Sequence, residues 1–182
     1  PDSTTSSLVY SNGFLMVSTN RSGISTERTY DDFGRLAEVD DERTGTFTFS
    51  YDSNANVTNV TDSAGRSTGY ILDAMGRLIR TLYADGTIAT NTYYTTGQVK
   101  TVHGAGTYPV KHAYNGSGAL TNLFTYRDWT TFESGADITR WLYDEETGRL
   151  LAKIYADDTT NSFFYADDGE PQHVRRAVEP DH

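Results

Sequence analysis

The chain of 182 residues contains no cysteine. That excludes a disulfide framework and a zinc–thiolate site, although it does not fix the compartment. Clustered basic charge is also missing: 15 Lys and Arg are scattered among 25 Asp and Glu, a formal net charge of −10. A phosphate backbone would be repelled, so nucleic acid is not an expected partner. No apolar run approaches the ~20 residues of a membrane-spanning helix, so membrane insertion by this segment is not expected. The opening PDSTTSS has no signal-peptide character, which leads us to expect an internal fragment of a longer protein. Histidine is sparse, and His103, His112, His173 and His182 show no i, i+2 or i, i+4 pairing that would suit a metal.

What is abundant is of a different kind. Aromatic residues make up 13%, thirteen of them Tyr, and there are 16 Gly among frequent Thr, Ser, Asn and Asp. Such a composition predicts many short strands joined by many turns. A repeat organises them. The heptads YDDFGRL, YDSNANV, LDAMGRL, YYTTGQV and YNGSGAL begin at Tyr30, Tyr51, Leu72, Tyr93 and Tyr114, each 21 residues after the last. YDEETGRL follows at Tyr143 after 29 residues and YADDGEP at Tyr165 after 22, while a shortened copy, YSNGFL, starts at Tyr10. Constant spacing of this sort marks a repeat architecture. We therefore expect a single array of about seven units, starting near Tyr10, Tyr30, Tyr51, Leu72, Tyr93, Tyr114 and Tyr143, with a last partial one at Tyr165.

Midway between heptads lie further turn signals, among them Asn20-Arg-Ser-Gly23, Thr44-Gly45, Asp62-Ser-Ala-Gly65 and Ala84-Asp-Gly86. Between turns the apolar residues alternate: Phe47, Phe49 and Tyr51 share one face of an extended segment and Thr48 and Ser50 the other. The pattern predicts an all-β fold, a repetitive antiparallel strand–turn–strand meander. Within a heptad, Tyr ends the incoming strand, Asp accepts from amides of the bend, and Gly takes a conformation that a Cβ resists. Arg and Leu then begin the next strand. The structural motif residues are thus Tyr30, Asp31, Gly34, Arg35 and Leu36; Tyr51 and Asp52; Asp73, Gly76, Arg77 and Leu78; and Tyr143, Asp144, Gly148, Arg149 and Leu150. Asp31 with Arg35, Asp73 with Arg77 and Asp144 with Arg149 are candidate cross-turn ion pairs. In YDSNANV, Asn56 is the residue expected to tolerate a left-handed, shifted turn.

The Tyr-Asp-x-x-Gly-Arg-Leu heptad at this spacing resembles the RHS or YD-repeat family over roughly residues 8–177. That family includes shell subunits of toxin complexes, bacterial polymorphic toxins and teneurins. The resemblance implies a curved β-sheet strip that forms part of a shell, with the motif tyrosines stacked as a ladder. It further implies a secreted or bacterial cell-surface location, neighbouring YD repeats of the same full-length chain as partners, and, in toxins of the family, an enclosed effector polypeptide. The plug segment and the self-cleaving aspartyl site of the family are not found in these residues.

No catalytic constellation accompanies the repeat. A Gly-x-Ser-x-Gly elbow is lacking, and Gly104-Ala105-Gly106 falls in a midpoint turn. Asp52-Ser-Asn-Ala-Asn56 starts like a calcium loop, but Val57 stands where the glycine is needed and the twelfth position has no Glu. Catalytic, metal and cofactor residues are therefore expected to be none. The rhythm breaks only in the 29-residue unit, whose extra residues fall in 125–135. Tyr126, Trp129 and Phe132 in that loop are candidate ligand-binding residues for a cell-surface glycan or a protein partner, as in an adhesin. The competing expectation is that Trp129 folds back over the sheet. An isolated run of repeats is also expected to self-associate through its edge strands.

Overall fold

The computed structural model describes residues 5–177 apart from Thr131 and Glu133. Its contacts divide the chain into two compact units, Pro1–Ile88 and Ala89–His182. In the first unit, eight strands follow in chain order: β1 (Ser7–Ser11), β2 (Phe14–Thr19), β3 (Ser25–Tyr30), β4 (Leu36–Asp41), β5 (Gly45–Tyr51), β6 (Val57–Thr61), β7 (Ser67–Leu72) and β8 (Leu78–Leu82). Each pairs antiparallel with its sequence neighbour. In the second, β9 (Ile88–Tyr93, all but its first residue), β10 (Val99–His103), β11 (Val110–Tyr114) and β12 (Leu120–Thr125) lead to β13 (Asp137–Tyr143), β14 (Leu150–Ile154), β15 (Thr160–Tyr165) and β16 (Pro171–Ala177). These too pair only in sequence order. The fold is all-β, and no helix occurs among the described residues.

The strand ends match the heptad. Tyr30, Tyr51, Leu72, Tyr93, Tyr114, Tyr143 and Tyr165 each close a strand, and Leu36, Val57, Leu78, Val99, Leu120 and Leu150 each open the next. A second regularity had no residue-type signature. Tyr30 faces Leu36 but Thr29 faces Glu38, so Ala37 is an extra residue in β4. The same bulge inserts Thr58 after Tyr51↔Val57, Ile79 after Leu72↔Leu78, Lys100 after Tyr93↔Val99 and Thr121 after Tyr114↔Leu120. Leu151 and Gln172 repeat it in the last two hairpins of this type. At the midpoint turns the register runs on without a shift.

The bulge explains why a period of 21 is workable. Side chains alternate faces with period 2, so an odd repeat would throw successive motif residues onto opposite faces. One extra residue per repeat restores the phase. Val39, three residues after Leu36, therefore lies on the same face as Leu36, opposite Phe47 of β5. Within each unit the motif residues that close the strands are thereby returned to one side.

Both units are a single layer of sheet. Among the described apolar residues only Ala89 and Tyr126 are buried, and none of the described large side chains is fully enclosed. Most strand residues are half-buried, covered by neighbours along the same face rather than by a second layer. Stability must then come from the hydrogen-bonded ladder and from cross-strand side-chain pairs, each worth roughly 0.2–1 kcal/mol.

Candidate functional site

The recurring chemistry begins in the bend. Asp31 N–H donates to the Arg35 carbonyl and Gly34 N–H to the Asp31 carbonyl, at 2.8 and 2.9 Å. Gly34 sits at φ 76°, the left-handed residue that closes a three-residue hairpin loop. Asp31 Oδ1 accepts from the amides of Phe33 and Arg35, and Oδ2 accepts from Arg35 Nε at 2.7 Å. Asp73 and Arg77 reproduce every one of these bonds, with Arg77 Nη2 also 2.7 Å from Asp73 Oδ2. The Arg77 side chain and the amides aimed at it hold the Asp73 carboxyl below the usual carboxylate range. For Asp31, burial pushes upward, but the hydrogen bonds from Arg35 and Phe33 outweigh it and the net shift is again down.

Three details differ from the sequence expectations. In YDSNANV the left-handed residue is Ala55, at φ 65°, not Asn56. Asn56 takes the arginine's place instead, its Nδ2 donating to Asp52 Oδ2 at 2.9 Å. Asp144 does not take Arg149 as its hydrogen-bond donor: the inserted residue lets Thr147 N and Oγ1 cap the carboxylate, both at 2.7 Å, and the Arg149 guanidinium lies over the Tyr165 ring, 5.6 Å from its centroid. The midpoint turn Asp62–Arg66, finally, carries the full set of motif bonds, including an Arg66 Nε to Asp62 Oδ2 contact of 2.7 Å. Its string Asp-x-x-Gly-Arg was a legible signal, since only the preceding aromatic is missing.

Successive units are tied through the tyrosines. The Tyr51 hydroxyl donates to the Leu36 carbonyl at 2.7 Å, and Leu36 is the final residue of the preceding motif. Tyr30 makes the same bond to Leu15, Tyr114 to Val99, Tyr143 to Leu120 and Tyr165 to Leu150, at 2.9–3.1 Å. Arg35 adds a second tie, with Nη1 on the Asp52 carbonyl and its guanidinium 4.5 Å from the Tyr51 ring centroid. At these five tyrosines one motif is tied to the one before it. The arrangement is an architectural joint, with no water-excluding cleft and no nucleophile set beside a base.

The irregular loop is held by an aromatic cluster. Tyr126 is only 6% exposed; its amide donates to the Pro109 carbonyl, and its ring meets Phe132 edge-on at 4.9 Å. Phe132 in turn stacks on His103 at 4.7 Å. Trp129 stays out, 48% exposed, and the Arg127 guanidinium of the same loop reaches Asp137 at 3.4 Å. Of the three aromatic candidates, the structure brings Tyr126 and Phe132 together as a support and leaves Trp129 alone facing solvent. Among the described residues no group of three His, Asp or Glu is placed to hold a metal ion.

The model of the teneurin YD-shell family matches residues 5–180. The chain belongs to the teneurin YD-shell family. Solved structures with the same fold include a crystal structure of TcdB2–TccC3–Cdc42, at 16% identity and a TM-score of 0.62, covering 99% of this chain. TcdB2–TccC3 without its hypervariable C-terminal region matches at 17% identity and a TM-score of 0.59 over 97% of this chain. The Photorhabdus luminescens Tc holotoxin pore with a mutant TccC3 matches at 15% identity and a TM-score of 0.51 over 87%. This YD-shell chain spans 12% of the length of each of those chains. No curated protein sequence is significantly similar to it. The motif joint is thus that of a structural shell module.

Proposed function

We propose that this YD-shell chain is a run of wall in a larger, secreted β-sheet shell that encloses a polypeptide segment of the same full-length protein. One observation carries the reading: the tyrosine hydroxyl of one motif bonds the backbone carbonyl of the motif before it, again and again along each unit. Side chains spent in this way extend a sheet and do not perform chemistry. The nearly coreless single layer suits a wall whose faces are met by other parts of a longer chain. Its role is non-enzymatic. Limited proteolysis of the full-length gene product tests the enclosure: an internal segment should resist protease until the shell is unfolded by denaturant. Cleavage of every segment at the rate of an unfolded chain would remove the proposal.

A second reading, a surface module that binds glycan or protein through the 125–135 loop, draws on the exposure of Trp129. Tyr126 and Phe132 then act as the floor of that site and not as its contact surface. Glycan-array screening of wild type and Trp129→Ala separates the two readings, because the wall reading predicts no signal that depends on Trp129.

A further inference from the structure

We infer that a cleft beside Tyr83 in the first unit binds a small organic cation with a methylated ammonium group. The inference goes beyond the wall reading and does not depend on it. It starts from a turn that occurs twice. Tyr83-Ala-Asp85-Gly-Thr87 follows β8, and Tyr155-Ala-Asp157-Asp-Thr159 follows β14. In both, the tyrosine N–H donates to the threonine carbonyl at 2.9 Å, and the aspartate accepts from the amide and the hydroxyl of that threonine. The tyrosine of the second unit carries a cation. Lys153 Nζ lies 4.5 Å from the Tyr155 ring centroid and 5.2 Å from that of Trp141, the residue opposite Lys153 in β13. In the first unit Thr81, opposite Tyr70, takes the place of Lys153. Its own strand therefore brings no ammonium to Tyr83, which stays 37% exposed.

Tyr83 lines an open cleft of about 440 Å³. That size falls within the ~300–1,000 Å³ range of small-ligand sites. The register explains its form. Phe49 faces Val60, Val60 faces Thr68 and Tyr70 faces Thr81, so Phe47, Val60, Thr68 and Tyr83 stand on the same face as Tyr51. Phe47 on β5 and Tyr83 after β8 are three strand spacings apart, about 14 Å. The shorter Val60 and Thr68 between them make a floor with an aromatic wall on either side. Charge then selects the ligand. Asp62 and Asp85 both line the cleft. Arg66 matches Asp62 at 2.7 Å, whereas Asp85 accepts from the uncharged Thr87. An anion would meet two carboxylates in a chain whose net charge is already −10. A hydrated metal ion would gain nothing from the apolar floor. A methylated ammonium suits both parts: its methyl groups rest on Val60 and the rings, and its charge is drawn to the face of Tyr83 and to Asp85.

Titration of the protein with choline, followed by NMR chemical shifts, tests the site, with neohexyl alcohol as the uncharged carbon isostere. Choline should bind, and the isostere should bind about fivefold more weakly or worse, the loss expected when a cation over a ring becomes neutral. Tyr83→Leu keeps an apolar side chain but removes the ring, and Asp85→Asn keeps an acceptor for Thr87 but removes the charge. Each should weaken choline by about fivefold or more. Tyr155→Leu should leave choline binding unchanged, because Lys153 already occupies that ring. No binding of choline, equal binding of the isostere, binding that survives in both Tyr83→Leu and Asp85→Asn, or binding lost only in Tyr155→Leu would overturn the assignment.

Discussion

At the scale of single residues, the motif aspartate is the keystone of each bend. Asp73 accepts two backbone amides and an arginine at once, whereas Arg77 contributes an ion pair at a partly exposed turn. Asp73→Ala should therefore lower stability more than Arg77→Ala, as read by chemical denaturation. The titration follows the same logic. The folded-state carboxyls of Asp31, Asp52, Asp62 and Asp73 lie below their ordinary value, with hydrogen bonds from their own turns as the lowering cause. A depressed folded value gives stability that is complete above the ordinary carboxylate pKa of ~3.9 and lost as pH falls through the folded value. Stability should accordingly show no loss from these groups between about pH 8 and 5 and should fall below about pH 4, with a shallower fall in Asp73→Asn. Ala55 points the other way. It is a Cβ-bearing residue in left-handed backbone, so Ala55→Gly should stabilise by about 0.5–1 kcal/mol. A lower denaturation midpoint in that variant would contradict the account of the drifted turn.

The hairpin is the next scale, and here the tyrosine tie and the bulge do different jobs. Tyr51→Phe keeps the ring against Arg35 but removes the hydroxyl from the Leu36 carbonyl, and should cost about 0.5–1.5 kcal/mol. Deleting Ala37 removes the extra residue of β4, so everything after it must either flip faces or lose the first bend. Loss of cooperative unfolding in that deletion, with a milder effect from Ala37→Ser, is the expected result, checked by circular dichroism on heating. Much at this scale was legible in the sequence: the strand ends at Tyr30, Tyr51 and Tyr143 and the glycines of the bends follow from turn chemistry alone. The bulge was not, because Ala37, Thr58, Ile79 and Lys100 share no property. Only the odd repeat length pointed to it. Trp129 and its two aromatic neighbours could be placed in the irregular loop from sequence, but which of them faces inward depends on His103 and Pro109, which lie in the preceding repeat.

For the molecule as a whole, a strip of sheet with so little buried apolar surface depends on what continues it. Among the described residues β1 pairs only with β2 and β16 only with β15, and each therefore has an outer edge of ladder groups. Sedimentation velocity should show association that grows with protein concentration, and a strict monomer at high concentration would count against edge pairing. The decisive claim is larger: that these units are wall. Cryo-electron microscopy of the full-length gene product addresses it directly. The account predicts a hollow particle whose wall is a single layer of antiparallel strands, with the motif tyrosines in register from one repeat to the next. A solid particle, or an extended rod in which the repeats enclose no space, would contradict it.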